Sequence, residues 1–97
     1  MLSLPASISL AGAQAVMRPL AEAIPREPAG QLNIDAAGLQ QFDSSALAVL
    51  LECRRLAQKS GRSFQLSGAP PRLSQLARLY GVAELLGITP VQISAAT

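Results

Sequence analysis

Short apolar segments that alternate with amphipathic ones most restrict the folds open to this chain of 97 residues. Strand-like segments occur at 4–10, 31–36 and 64–66, and helical spacing follows them at 13–24, 44–59 and 71–80. Strands and helices in this alternation form a parallel or mixed sheet covered by helices. With another helical turn at 83–86 and an edge strand or tail at 91–93, we expect an α/β fold with a mixed sheet of about four strands and three to four helices.

The composition fits one core. Apolar residues make up 49% of the chain and charged residues 14%, so some apolar side chains should stay exposed. The longest apolar run, 46–51, is far shorter than the roughly 20 residues of a membrane span, and the start of the chain lacks a signal-peptide pattern. We therefore expect a soluble protein. A net charge of +2 and only three aromatic residues argue against nucleic-acid binding.

Residue types that perform catalysis or bind metals are scarce. The chain has no histidine, which excludes Ser-His-Asp and Cys-His catalysis and cysteine–histidine metal sites. No Gly-x-x-x-x-Gly-Lys loop is present to bind nucleotide phosphates. Asp35 and Asp43 could meet at one strand edge, but turn and capping roles are favoured over catalysis. We expect a non-enzyme without a cofactor, and the single Cys53 suits a reducing cytoplasm.

The helix predicted at 44–59 should have two distinct faces. At about 100° per residue, the buried stripe contains Ala46, Val49, Leu50, Cys53, Leu56 and Ala57. Cys53 lies in its middle, which favours a core role over a reactive thiol. The opposite face carries Ser44, Leu47, Ala48, Leu51, Arg55 and Gln58. Leu47, Ala48 and Leu51 would form an outward apolar patch beside Ser44, which suggests a partner. Cover by another element of the domain is the alternative.

The last predicted helix repeats this pattern more weakly. Its buried stripe should contain Leu73, Leu76, Ala77 and Tyr80, and its outer face Arg72, Gln75, Arg78 and Leu79. Tyr80 is therefore predicted to be a core residue with a solvated hydroxyl.

The run Asp43-Ser44-Ser45-Ala46 joins a strand-like segment to the strongest helical pattern. Asp43 or Ser44 should cap this helix. A strand ending at Asp35, followed by this run and an amphipathic helix, resembles the STAS domain family, named after sulphate transporters and anti-sigma-factor antagonists. The family pattern is an apolar strand, a loop, and then Asp-Ser-Ser-Gly or Asp-Thr-Gly-Gly. The resemblance implies a single STAS domain over residues 1–97 with a STAS-like mixed sheet.

Two further stretches narrow the resemblance. Leu76-Ala77-Arg78-Leu79-Tyr80 in the last helix and Val16-Met17-Arg18-Pro19-Leu20 in the first are similar to the small STAS subunits of Mla phospholipid-transport ABC systems. This similarity implies a non-catalytic cytoplasmic adaptor that binds and supports the ATPase subunit. It would lie at the inner membrane only through that partner, without direct membrane insertion.

The resemblance places Ser44 at the contact with the ATPase subunit, because this hydroxyl directly follows the motif aspartate. The expected contact residues are Ser44, Leu47, Ala48 and Leu51 at the centre, with Arg55, Arg72, Gln75 and Leu79 as a rim. The alternative is an anti-sigma-factor antagonist, bound by a serine kinase or anti-sigma factor and switched by phosphorylation of Ser45. Ala46 replaces the glycine of the family motif, which favours docking through Ser44 over phosphorylation of Ser45.

Overall fold

A computed structural model describes residues 2–27 and 30–87. In chain order its elements are β1 (Leu2–Ser3), β2 (Ser7–Ile8), α1 (Ala13–Ala23), β3 (Gln31–Asp35), β4 (Gln41–Phe42), α2 (Ser45–Lys59), β5 (Ser63–Ser67) and α3 (Pro71–Leu79). The predicted α/β class is confirmed. The edge strand or tail expected at 91–93 lies outside the described residues.

The described strands form two groups, and every pair of neighbours in them is parallel. One sheet has the order β1-β3-β5, with Ile34 of β3 opposite Leu2 on one side and Leu66 on the other. The second group is the short pair of β2 and β4, in which Ile8 lies opposite Phe42. Parallel neighbours require crossover connections, and the helices between the strands provide them.

The first strand was predicted as one segment at 4–10, and this prediction is wrong in extent. The backbone N–H of Leu4 donates to the carbonyl of Asp35 at 2.9 Å, which continues the pairing of β1 with β3. The chain then changes partner, so that β2 pairs with β4. Alternation over 4–10 puts Ile8 and Leu10 on one face of a single strand, but the strand ends at Ile8. Ile8 is consequently 1% exposed and Leu10 is 80% exposed.

The core is one cluster of buried residues, in which α1 packs against α2 and α2 packs against β5 beside the central strand β3. Leu32 and Ile34 of β3 are fully buried, as expected for a central parallel strand covered by helices. Most of the stripe predicted for α2 is confirmed, with Ala46, Val49, Leu50, Cys53 and Ala57 buried. Leu56 is only half-buried.

Cys53 is predicted to be an unreactive thiol in the folded protein. The side chain is 0% exposed, and burial raises the pKa of the thiol to about 12. Because the thiolate is the nucleophile, a disulfide reagent near pH 8 should label the native chain on the order of 1,000-fold more slowly than the unfolded chain. Stopped-flow absorbance measures both rates. Gln58→Cys adds an exposed thiol to the same helix and should give one fast equivalent. Equally fast labelling of native Cys53 would contradict the prediction.

Candidate functional site

The start of α2 is fixed by the carboxylate of Asp43. Its Oδ1 accepts hydrogen bonds from the Ser45 hydroxyl and from the Ser45 backbone N–H, the latter at 2.8 Å. Its Oδ2 accepts the backbone N–H of Leu10 at 3.2 Å. Ser44 makes no capping bond through its side chain. Of the two residues predicted to cap the helix, Asp43 is therefore the one that does so. Its bond to Leu10 also connects α2 to the turn that precedes α1.

The two motif serines differ in accessibility. Ser44 is exposed, whereas Ser45 is 8% exposed and its hydroxyl already donates to Asp43. Both residues contribute to an open cavity of about 370 Å³, together with Leu10, Asp43 and Ala48. A partner that approaches this cavity meets the Ser44 hydroxyl first, since Ser45 lies beneath it at the edge of the core.

Asp43 should make the stability of the protein depend on pH in the acid range. The hydroxyl bond from Ser45, followed by the Ser45 backbone bond, holds the pKa of the Asp43 carboxyl below its ordinary value of 3.8. A lowered folded-state pKa contributes stability above the unfolded pKa, and this contribution is lost as the pH falls through the folded-state value. We expect the Tm advantage of the unchanged protein over Asp43→Asn to shrink as the pH falls below about 4.

Circular-dichroism melting between about pH 7 and pH 2.5 measures this difference. Ser45→Ala removes the hydroxyl that contributes most to the shift, so its Tm should depend on pH less steeply than that of the unchanged protein. A Tm difference for Asp43→Asn that stays constant across the range would contradict the assignment.

Leu47 does not lie on the outward face, so this part of the predicted patch is wrong. It is 3% exposed and belongs to the core cluster, which also contains Leu73 of α3. Ser45, Ala46 and Leu47 are buried in succession. Three consecutive helical residues cannot share one face, so the first turn of α2 is covered on more than one side.

The remaining patch is smaller than predicted. Ala48 is exposed, while Leu51 is half-buried and packs against the core cluster. Leu10, which the alternating pattern placed on the same strand face as Ile8, contributes a large exposed side chain. We call Leu10, Ser44 and Ala48 the α2 face.

Ala48 occupies the middle of this surface. It lines both the cavity at Ser44 and a shallower one of about 170 Å³ between α1 and α2, where Gln14, Met17 and Glu52 also lie. The accessible surface therefore continues along α2 from Ser44 to Glu52. Ile8 and Leu10 differ because the pairing of β2 with β4 stops at Ile8 and the chain enters a 3-10 turn at Leu10–Gly12.

Arg55, a predicted rim residue, is engaged within its own helix. Its guanidinium bonds to both carboxylate oxygens of Glu52, with Nε to Oε1 at 3.0 Å. This pair lowers the pKa of Glu52 and raises that of Arg55. Both side chains are partly solvated, so the pair contributes little to stability. The two opposite charges cancel on the part of α2 that follows Ala48.

The predicted rim residues of α3 lie together around a second cavity. Arg72, Gln75 and Leu79 line a space of about 260 Å³ with Phe42 and Leu76. The three rim residues are exposed as predicted, and Leu73 and Ala77 are buried. Tyr80 was predicted to be a core residue, and this is wrong. It is 55% exposed at the end of α3, one turn beyond Ala77, which is buried in the core with Leu73 of the same stripe.

The sequence of this domain also matches a known protein family. Residues 1–87 match the family model described as an Mlab STAS domain. The chain belongs to the STAS family, and its domain is of the MlaB type. Comparison with curated proteins gives no match. In this STAS domain the motif lies at the junction of β4 and α2, and Ala46, in place of the family glycine, is fully buried.

The match covers every residue that the structure describes. Among these residues no helix is long and apolar enough to cross a membrane.

Proposed function

We propose that this STAS domain is a non-catalytic adaptor that binds and supports the ATPase subunit of an Mla-type phospholipid-transport ABC transporter. The observation that carries the proposal is an exposed contact surface at the family motif in a domain of the MlaB type. Leu10 is 80% exposed beside the accessible Ser44 hydroxyl. Exposed apolar groups with a few aligned polar groups are typical of protein–protein interfaces.

Each part of the α2 face has a role in this proposal. The Ser44 hydroxyl forms a hydrogen bond across the interface. Ala48 has a small side chain, so the backbone of α2 can approach the partner closely. Leu10 supplies the large apolar group that such interfaces bury at their centre. Leu47 acts from beneath by holding the first turn of α2 in the core.

Regulation by phosphorylation of Ser45, the alternative function, finds less support. A kinase needs an accessible hydroxyl, but Ser45 is 8% exposed and its hydroxyl donates a hydrogen bond to Asp43. Phosphorylation there would break the cap of α2 and place a dianion beside the Asp43 carboxylate. No observation on the molecule favours this switch over docking through Ser44.

Binding of the purified chain to the purified Mla-type ATPase subunit of the same organism tests the proposal. Isothermal titration calorimetry should give a saturable complex, and ATP hydrolysis by the subunit should increase when the chain is present. An ATPase subunit from an unrelated ABC transporter serves as the control and should not bind. A folded chain that neither binds nor activates the Mla-type subunit would overturn the proposal.

A further inference from the structure

The cavity between β4 and α3 has the size of a site for one partner side chain. Its volume is about 260 Å³, below the roughly 300–1,000 Å³ of typical small-molecule pockets. Phe42, Leu76 and Leu79 provide its apolar walls. Leu79 is 77% exposed, so an aliphatic group seated in the cavity would remove a large apolar surface from water.

Arg72 supplies the charge at this cavity. Its guanidinium carbon lies 5.3 Å from the centroid of the Phe42 ring, and a cation–π contact of this kind orients the planar group. Within residues 2–27 and 30–87 no carboxylate pairs with Arg72. The guanidinium donors are therefore available to an acceptor with two oxygens, such as a carboxylate.

The neighbouring acidic groups of the domain are already engaged. Asp43 accepts bonds from Ser45 and Leu10 on its two oxygens, and Glu52 binds Arg55. Phe42 lines the cavity at α3, and the next residue along the chain, Asp43, lines the cavity at Ser44. Of the described residues that line the cavity at α3, only Arg72 is charged, so the partner group that complements this cavity is acidic.

We propose that the docked partner presents an apolar side chain and a nearby carboxylate to this cavity. The apolar group packs between Phe42 and Leu79, and the carboxylate pairs with Arg72. This inference rests on the proposed function, because it names the chemistry of the ATPase surface that meets the domain. Phe42 orients Arg72 before binding, which reduces the entropy lost when the ion pair forms.

Calorimetric binding of the full chain to the ATPase subunit tests the ion pair. Arg72→Gln keeps much of the side-chain length but removes the charge, so it should weaken binding at least about 10-fold. It should also flatten the dependence of binding on salt concentration. Arg78→Gln is the matched control, because Arg78 lies on the same helix and does not line the cavity. It should change binding less than about two-fold.

Chemical cross-linking identifies the acceptor directly. Arg72→Lys places an amine at the cavity, and a carbodiimide should couple it to an Asp or Glu of the ATPase subunit, which peptide mass spectrometry can map. Arg78→Lys should give no such product. Suppose that the original chain binds the ATPase subunit. Equally tight binding by Arg72→Gln, together with no cross-link from position 72, would then overturn this inference and leave the proposed function standing. Failure of the unchanged chain to bind would overturn both.

Discussion

Ala48→Arg is expected to weaken binding of the ATPase subunit by at least about 30-fold, the effect typical of an interface hot spot. Ala48 lines two adjoining cavities on the α2 face. A long cationic side chain there would fill the space that the partner enters and would require its charge to be desolvated. The fold should persist, because position 48 is exposed and arginine is a good helix former. Calorimetry measures binding, and circular dichroism verifies the fold.

Gln58→Arg is the matched control for this substitution. It adds the same side chain at another exposed position of α2, close to the far end of the helix from Ser44. It should leave binding unchanged within about two-fold. Leu51→Arg, which the sequence pattern alone favours, is a poorer test because Leu51 packs against the core and its loss can unfold the chain. Full binding by a folded Ala48→Arg variant would exclude the α2 face as the contact.

Periodicity predicted the parts of this fold that depend on local pattern. It placed Cys53 and Leu50 in the core and Ser44 outside, because α2 is long and its apolar residues recur at helical spacing. It also gave the position of β3, whose apolar residues are bounded by Gly30 and Asp35. The local sequence pattern of α2 and β3 is enough to predict them, so long-range contacts change this part of the prediction little.

The errors arise where long-range contacts decide the outcome. β4 has only two residues, Gln41 and Phe42, and it exists because the N-terminal segment pairs with it. That pairing exposes Leu10, while the cover around the first turn of α2 buries Leu47. The candidate site combines both effects, because the large apolar side chain exposed beside Ser44 is Leu10 and not Leu47 as the helical pattern predicted.

Gly68→Ala is expected to destabilise the protein strongly, by roughly 2–5 kcal/mol, as the sum of a left-handed backbone cost and a steric clash. Gly68 has a φ of +69°, and a Cβ atom there would lie 2.9 Å from the Cβ and 3.0 Å from the backbone nitrogen of Ala37. Ala37 cannot retreat easily, because its N–H donates to Asp35 Oδ1 and the preceding N–H donates to Ser67. Urea unfolding gives the change in the free energy of unfolding.

Gly61→Ala separates the two contributions to this effect. Gly61 has a φ of +77°, but a Cβ there would meet no atom within 4 Å, so only the backbone cost of about 1–2 kcal/mol applies. Equal losses in the two variants would show that the contact with Ala37 is not tight.

Gly68→Ala should also affect the binding of the partner. The turn at Ala37 leads to Phe42 and the turn at Gly68 leads to Arg72. Their close approach sets the distance between the two elements that enclose the cavity, so Gly68→Ala should weaken partner binding beyond its effect on stability, whereas Gly61→Ala should not.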